Sequence, residues 1–269
     1  MSGSSSAYLV SEVGGQAELE RLKKQAALAM AQELPALLTA LPQGGCFHDL
    51  GCGSGELAFA VAMARPDATV IATDMDGQAV AAAKARCASL VNVHCAAVSA
   101  TAPDKSLGKA DVAVLRLVLM HVPQPQNALQ SLRAWLKPGG ELHVIEGDDR
   151  CIKTVPSLDR LPALLDVMEK VQVARGGSRR LGSAVGEMLA EAGYEDVVSS
   201  EQAPDPSMAV KALPIVFFPV AQFYLEKAVA AGLLEAGQAQ EFQRQMMEGV
   251  QSLQSAYLPL FHVVARSPS

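Results

Sequence analysis

The chain reads HDLGCGSGEL over residues 48–57. This stretch contains the end of an apolar strand, an acidic residue, three alternating glycines and the start of a helix. Glycine tolerates positive φ and has no Cβ, so the main chain can turn sharply and a ligand can lie close against it. In open α/β sheets, ligands bind at such turns beyond the carboxyl ends of the strands. We therefore predict a ligand site at this turn.

Two acidic residues indicate which ligand the turn binds. Asp49 precedes the glycines, where its charge repels a phosphate and favours an ammonium or sulfonium group. Asp74 ends the next predicted strand, a position from which a carboxylate accepts the hydroxyls of a ribose. An NAD or FAD site is the main alternative, since Gly53, Gly55 and Ala58 fit a loose dinucleotide pattern, but Asp49 is unfavourable beside a pyrophosphate. The two acids predict a nucleoside with a cationic tail.

Short apolar runs alternate with helical patterns around this turn, which is typical of βαβ units on a parallel sheet. Predicted strands cover residues 46–50, 69–74, 91–95, 111–115, 141–145, 195–200 and 260–265. Predicted helices cover residues 56–64, 79–88, 126–135, 158–173 and 184–192, and residues 208–254 are mainly helical. The pattern predicts an α/β fold with a doubly wound, Rossmann-like, seven-stranded and mostly parallel sheet. We expect an N-terminal helical segment (residues 1–44), a sheet core (45–203 and 256–266) and a helical cap (204–255) before the last strand.

Composition excludes several classes of protein. The formal charge is -6 and no long run of Lys or Arg is present, so we expect no nucleic-acid partner. The five cysteines form no CxxC pair and predict reduced thiols rather than a zinc site. We find no signal-peptide pattern, and the longest apolar run, residues 213–220, contains two prolines. We therefore predict a cytoplasmic protein without a membrane partner.

Two further motifs follow the glycine turn and Asp74 along the chain. Residues 116–123 read RLVLMHVP after the fourth predicted strand, and residues 136–142 read LKPGGEL before the fifth. Together with Asp49, the three glycines and Asp74, they make residues 45–146 resemble the class I S-adenosylmethionine-dependent methyltransferases. Tyr8 with Glu18, Arg21, Leu22 and Gln25 is similar to the small-molecule branch, in which a leading helix closes over the cofactor.

The resemblance implies S-adenosylmethionine as the cofactor. It also implies which positions bind it: Tyr8, Arg21, Asp49, Gly51, Cys52, Gly53, Gly55, Asp74, Met75, Ala97, Val98 and Arg116. One departure concerns adenine, because the family often has an acid after strand three where this chain reads CAAVS at residues 95–99. Either main chain or Ser99 would hold adenine instead, or adenine would be recognised less strictly than is usual in the family. Arg116 has a structural alternative, an ion pair with a nearby acid.

The implied reaction is methyl transfer to a small, mainly apolar organic molecule, with oxygen, nitrogen or carbon as the acceptor atom. This in-line displacement needs alignment and exclusion of water, and we expect no metal. Candidate catalytic residues are His121 and Glu146, where His121 acts as a general base or only lines the pocket. Asp148 and Asp149 either orient the acceptor or form a solvated loop. Substrate contacts are predicted for His121, Asp148, Phe217, Phe218 and Tyr224.

Other uses of the same fold remain open. A protein that binds S-adenosylmethionine could instead catalyse a non-methylating isomerisation or cyclisation, or serve as a non-enzymatic regulatory subunit. The cap helices could complete a substrate pocket or build a dimer interface, so we expect a monomer or a homodimer.

Overall fold

Seven strands form the central sheet of this computed structural model, which describes residues 10–269 apart from the side chain of Ser11. The sheet order is β3-β2-β1-β4-β5-β9-β7. Its strands are β1 (Cys46–Leu50), β2 (Thr69–Asp74), β3 (Val93–Ala97), β4 (Ala110–Arg116), β5 (Leu136–Gly147), β7 (Glu195–Gln202) and β9 (Leu260–Arg266). Neighbours from β3 to β5 are parallel, and β9 runs antiparallel to both β5 and β7. The predicted α/β class and seven-stranded, mostly parallel sheet are confirmed.

Helices cover both faces of the sheet. The α-helices of the described residues, including those of the cap, are α1 (Val10–Val13), α2 (Gln16–Ala40), α3 (Glu56–Ala64), α4 (Gly77–Arg86), α5 (Pro125–Leu132), α6 (Leu161–Ala174), α7 (Val185–Glu191), α8 (Pro206–Ala212), α9 (Phe218–Ala230) and α10 (Ala236–Val250). Helices α2 and α3 bury one face around Phe47 and Val61, and Leu132, Trp135 and Leu189 fill the other. The strand order reverses between β1 and β4, so a crevice opens at their carboxyl ends.

The cap differs from its predicted boundaries. Helix α6, which we expected in the sheet core, packs Leu164 and Met168 against Phe223 and Tyr224 of α9. It therefore belongs to the cap, because its apolar side faces α9. A two-stranded sheet of β6 (Lys153–Val155) and β8 (Ser255–Tyr257) joins the two cap segments and was not predicted. Strands of three residues are too short to produce a sequence pattern.

The stretch Pro206–Ala230 is long and apolar enough to span a membrane by length and composition alone, which is weak support for a span. It consists of α8, a π-helical segment (Leu213–Phe217) and α9. Almost half of its most apolar window is buried, and α9 packs against α6. We interpret it as a packed cap element, and the absence of a membrane partner stays a prediction.

The turn after β1 brings α3 and α4 close together at Gly55. Gly55 has φ +79°, and a Cβ there would lie 2.8 Å from the Cα of Ala83 in α4. Gly55→Ala is expected to lower the free energy of unfolding by about 2 kcal/mol, from backbone strain plus overlap. Gly77→Ala is the matched control, because a Cβ at Gly77 meets nothing within 4 Å. Urea unfolding measures both, and equal effects would contradict the close helix approach.

Candidate cofactor and acceptor site

The glycine turn is fixed to the end of β2 by three consecutive main-chain amides. The N–H groups of Gly51 and Cys52 donate to the carbonyl of Thr73 at 2.7 and 2.8 Å. The N–H of Gly53 donates to Oδ2 of Asp74 at 3.0 Å. Gly51 and Gly53 have φ +79° and +52°, values that L side chains rarely adopt. These hydrogen bonds to Thr73 and Asp74 hold the main chain of the turn in a fixed position.

Gly51 and Gly53 line a cavity of about 420 Å³ at the carboxyl ends of β1, β2 and β4. A Cβ at Gly51 would lie 2.4 Å from Val118 Cγ2, so no side chain fits there without a shift. Gly55 and Cys52, which we expected to contact the cofactor, do not line this cavity. Gly55 serves the packing of α3 against α4, and Cys52 is buried behind the turn.

Asp49 lies behind the turn rather than on the cavity wall. Its side chain is buried, and Oδ2 accepts a hydrogen bond from the N–H of Ala58 at 3.2 Å. Burial raises the pKa of Asp49 to about 7, with the Ala58 hydrogen bond acting to lower it and the nearby Asp74 charge acting to raise it. The predicted direct contact with a cationic group is therefore replaced by an electrostatic influence from behind the main chain.

Asp74 lines the cavity at the end of β2, as its predicted role requires. Its two carboxylate oxygens accept from the N–H groups of Gly53 and Asp76, at 3.0 and 2.9 Å. Burial raises its pKa above the usual value. Each oxygen keeps a second lone pair for a ligand hydroxyl. Met75 also lines the cavity, and Asp76 caps α4 through the N–H of Gln78 at 2.7 Å.

The wall beyond β3 differs by a few residues from the prediction. Ala97 and Val98 do not line the cavity, whereas Ser99, Ala100 and Thr101 do. Ser99 Oγ and Thr101 Oγ1 are 3.1 Å apart and hydrogen bonded. This wall carries hydroxyl and main-chain groups, in accordance with the missing acid in residues 95–99.

Helix α2 forms the side of the cavity opposite the sheet. Arg21 lines the cavity and forms a buried ion pair with Glu18 at 2.6 Å. Arg116, at the end of β4, also lines the cavity and pairs with Glu33 of α2 at 2.6 Å. Arg116 therefore forms the ion pair that the sequence analysis gave as one alternative, and its contact with the cofactor stays a prediction. Tyr8, also predicted to bind the cofactor, lies outside the described residues.

The Arg116–Glu33 pair leaves one atom of each partner unused. Within the described part of the chain, the buried atoms Arg116 Nη2 and Glu33 Oε1 have no hydrogen-bond partner. Such atoms are costly to bury, so a polar ligand group at Arg116 would relieve the cost. This orphaned donor beside the glycine turn is the kind of group that binds a carboxylate.

The far end of the cavity carries the cap residues. His121, Phe217 and Tyr224 line it as predicted, together with Val216, Val220 and Leu258. Phe218 does not line it and instead packs against Phe217. Asp148 lines it but is bound by Arg150 Nη2 at 2.6 Å and Ser183 Oγ at 2.7 Å.

Glu146, a predicted catalytic residue, does not reach the cavity. It is fully buried beneath residues 119–121, and its Oε1 accepts from the N–H of Met120 at 3.2 Å. Burial raises its pKa to about 7, despite main-chain hydrogen bonds that lower it. Glu146 thus supports the segment that carries His121, and we withdraw it as a candidate base.

Two residues near the cap end of the cavity, Arg179 and Gln172, were not predicted from the sequence. Arg179 lines the cavity and binds both oxygens of Asp149, at 2.6 and 3.2 Å. Gln172 is buried in α6 and hydrogen bonds to the segment with His121. A polar residue on the apolar face of a predicted helix was the available signal for Gln172. Nothing local marks Arg179, because its partner is far away in sequence.

The donors and acceptors around the glycine turn fit S-adenosylmethionine. Asp74 offers acceptors for ribose hydroxyls, the hydroxyl-bearing wall suits adenine, and Arg116 offers a buried donor for a carboxylate. The negative charge behind the turn suits the sulfonium and ammonium groups. The cradle lacks side chains at Gly51 and Gly53, so the nucleoside can lie against the main chain.

The sheet order and the glycine turn fit the class I S-adenosylmethionine-dependent methyltransferase fold that the sequence resembles. Residues 48–142 match the family described as a methyltransferase domain. The predicted fold and family resemblance are thus confirmed, and S-adenosylmethionine is the cofactor of that family.

Individual relatives agree with this class. The ubiquinone biosynthesis O-methyltransferase of Escherichia coli is 35% identical over 106 residues, which span 37% of this chain and 43% of that protein. The match therefore covers less than half the length of that curated relative. The [4+2]-cyclase SpnF has a similar structure, with TM-score 0.56 and 22% identity over 91% of this chain and 82% of that one. Phosphoethanolamine N-methyltransferase 2 of Haemonchus contortus, in complex with S-adenosyl-L-methionine, has TM-score 0.58 and 16% identity over 89% of this chain and 53% of that one.

The ion pair between α2 and β4 gives a test of this site's construction. Arg116→Met leaves the Glu33 carboxylate buried without its partner and is expected to lower the free energy of unfolding by about 3 kcal/mol. The double variant Arg116→Met/Glu33→Met should regain most of that loss, because neither charge remains buried. Urea unfolding of the single and double variants measures the coupling, and additive effects would contradict it. Lys23→Met, at an exposed pair with Glu20, is the control and should change little.

Proposed function

We propose that the chain is a methyltransferase that transfers the methyl group of S-adenosylmethionine to a small organic acceptor with a large apolar part. One observation carries the proposal: one continuous cavity runs from the glycine turn and Asp74 to the cap, where His121 also lines it. The matched methyltransferase domain supports the reaction class. The cytoplasmic location and the monomeric or dimeric state remain predictions.

The residues at the sheet edge would hold the cofactor. Asp74 would accept from the ribose, main chain at Gly51 and Gly53 would contact the nucleoside, and Arg116 would pair with the carboxylate. When bound, the cofactor supplies a methyl group on a sulfonium, which is already activated for displacement. The work left to the chain is to bind, to align the acceptor and to exclude water.

The cap residues would bind the acceptor. Phe217, Val220 and Tyr224 give this end an apolar surface, and Arg179 with Asp149 gives it a polar edge. Because α6, α9 and the segment with His121 meet here, the acceptor would be enclosed by three chain segments that are distant in sequence. Such closure removes water and aligns the attacking atom with the methyl group.

Cyclisation is the second candidate function, because the similar structure of SpnF covers most of this chain and bears the name of a [4+2]-cyclase. Methyl-labelled S-adenosylmethionine distinguishes the two. Transfer of label to an acceptor supports the methyltransferase, and turnover of an acceptor without transfer supports cyclisation.

Asp74 gives a direct test of cofactor binding. Asp74→Asn replaces an acceptor by a donor that opposes the N–H of Gly53, and we expect S-adenosylhomocysteine to bind at least about tenfold more weakly. Calorimetric titration measures the dissociation constant. Asp104→Asn is the matched control, because Asp104 caps a short exposed helix through the N–H of Ser106. Equal affinity in both variants and the wild type would contradict the ribose role.

Asp49 predicts how cofactor binding depends on pH. With a pKa of about 7 in the free protein, its carboxyl becomes protonated below neutrality and no longer attracts a cation. The affinity for S-adenosylmethionine should therefore fall as the pH drops from 8 to 5.5, by up to about tenfold per pH unit below the pKa. The neutral thioether of S-adenosylhomocysteine should reduce this dependence.

Asp49→Asn is the variant that isolates this effect. The asparagine cannot titrate, so the difference in pH dependence between the two cofactor forms should disappear when calorimetry is repeated at each pH. A pH dependence that persists unchanged in this variant would show that another group is responsible.

A further inference from the structure

Gln172 is a fully polar side chain in the apolar interior of the cap. It is 2% exposed on α6, whose neighbouring buried residues are Met168 and Val171. Its Nε2 donates to the carbonyl of Met120 at 2.8 Å and lies 3.3 Å from His121 Nδ1. Its Oε1 accepts from the hydroxyl of Tyr224. Both the nitrogen and the oxygen of the Gln172 amide therefore have hydrogen-bond partners, which fix the orientation of these groups relative to one another.

The partners of Gln172 determine which way its amide faces. The carbonyl of Met120 only accepts hydrogen bonds, so the amide atom next to it must be the nitrogen. The same nitrogen faces His121 Nδ1, which must therefore be the acceptor. A neutral imidazole that accepts at Nδ1 carries its proton on Nε2. The structure assigns His121 the Nε2–H tautomer.

The segment that carries His121 is held from both sides. The N–H of Met120 donates to the Glu146 carboxylate. The carbonyl of Met120 accepts from Gln172 Nε2 and from the N–H of Ser178, the latter at 2.9 Å. The imidazole therefore has little freedom to turn Nδ1 away from Gln172. Protonating Nδ1 would set two donors against each other, which disfavours the imidazolium.

The charges around His121 also keep it neutral. Burial, together with the positive charges of Arg179, Arg175 and Arg21, lowers the pKa of His121 to about 3. The charged or titratable groups at this end of the cavity, by element, are Arg21 and Glu18 of α2, Glu12 of α1, Glu146 of β5, Asp148 and Asp149 after β5, Glu169 and Arg175 of α6, Arg179 and Arg180 after α6, and Tyr224 of α9. Arg21, Arg175 and Arg179 are each paired with a carboxylate, so their charges help to keep His121 neutral but are balanced within the protein.

The carboxylates that line the cavity are committed to other partners. Asp74 accepts from two main-chain amides, and Asp148 is bound by Arg150 and Ser183. Although burial acts to raise it, the pKa of Asp148 is held below its usual value by these hydrogen bonds. Asp149 is bound on both oxygens by Arg179. In residues 10–269, the two acids that line the acceptor side of the cavity, Asp148 and Asp149, therefore have their carboxylate oxygens engaged by other side chains.

We propose that Gln172 is a positioning residue that holds His121 as a neutral Nε2–H donor, and that the site takes acceptors whose attacking oxygen is already ionised near neutral pH, such as acidic phenols and enols. This inference rests on the proposed methyl transfer. The acceptor loses its proton to solvent before binding. Its oxygen then forms the O–C bond while the C–S bond breaks and leaves its electron pair on sulfur. His121 stabilises the oxyanion on binding and takes no proton.

The tautomer is tested directly by nitrogen NMR of the full chain labelled at histidine. The His121 signals are assigned by their loss in His121→Phe. In the wild type we expect a pyridine-type Nδ1, a pyrrole-type Nε2 and no titration between pH 5 and 8. A proton on Nδ1, or titration in this range, would overturn the assignment of His121 as a donor.

Gln172→Glu tests whether Gln172 is responsible. A carboxylate at this position accepts rather than donates, so we expect the His121 proton to move to Nδ1 and its pKa to rise into the titration range. Gln240→Glu adds the same charge on the exposed side of α10 and should leave the His121 signals unchanged. Gln172→Met removes the donor without adding charge and should give a mixture of His121 tautomers. This variant replaces the glutamate variant in the test if the latter does not fold. Unchanged signals in the folded Gln172 variants would overturn the positioning role.

The acceptor class is tested with 4-nitrophenol, whose phenol and phenolate forms absorb at different wavelengths. Absorbance titration in the presence of S-adenosylhomocysteine should show a preference for the phenolate of at least about tenfold, equal to a fall of one unit in the apparent pKa of the bound probe. His121→Phe should lose this preference. Preferred binding of the neutral phenol, or binding of neither form, would overturn the class. Binding of S-adenosylhomocysteine is measured separately by calorimetry without 4-nitrophenol. If S-adenosylhomocysteine does not bind, the proposed function is contradicted, and this result is distinct from the outcomes for the acceptor class.

Discussion

The three hydrogen bonds from the glycine turn to the end of β2 are the constraint on which the rest of the site depends. They use the N–H groups of Gly51, Cys52 and Gly53, and the turn carries no side chain at its two glycines, which line the cavity. Because Asp74 supplies one of the acceptors, the same carboxylate both shapes the turn and faces the cavity. A change at Asp74 would therefore affect the wall and the proposed ligand contact together.

Buried charges are arranged in opposite ways at the two ends of the cavity. Near the glycine turn, Asp49 adds negative charge from behind and suits a cation. Near the cap, Arg179 is paired with Asp149 and helps to keep His121 neutral, so the proposed Nε2–H donor would be the group that suits an anion. A cationic methyl donor and an anionic acceptor would each be stabilised where they bind and would attract each other between the two ends. This electrostatic division requires no side chain to move a proton during the reaction.

The parts that sequence could predict are those fixed by local patterns. Strands 46–50 and 69–74 and helix 56–64 have the predicted bounds, because apolar runs, glycines and a proline mark their ends within a few residues. The placement of α6 was wrong because its apolar face does not say which layer it packs on. Asp49 and Glu146 were expected on the cavity wall, yet the direction of a side chain at a strand end depends on the turn that follows. Gln172 and Arg179 act through partners about 50 and 30 residues away, which no local pattern reveals.

A crystal structure of the protein with bound S-adenosylhomocysteine tests the central claim most directly. The account predicts the nucleoside against the main chain of Gly51 and Gly53, with ribose hydroxyls within hydrogen-bond distance of the Asp74 carboxylate and the tail reaching Arg116. A ligand that lay elsewhere, or one in this cavity whose ribose made no contact with Asp74, would contradict it.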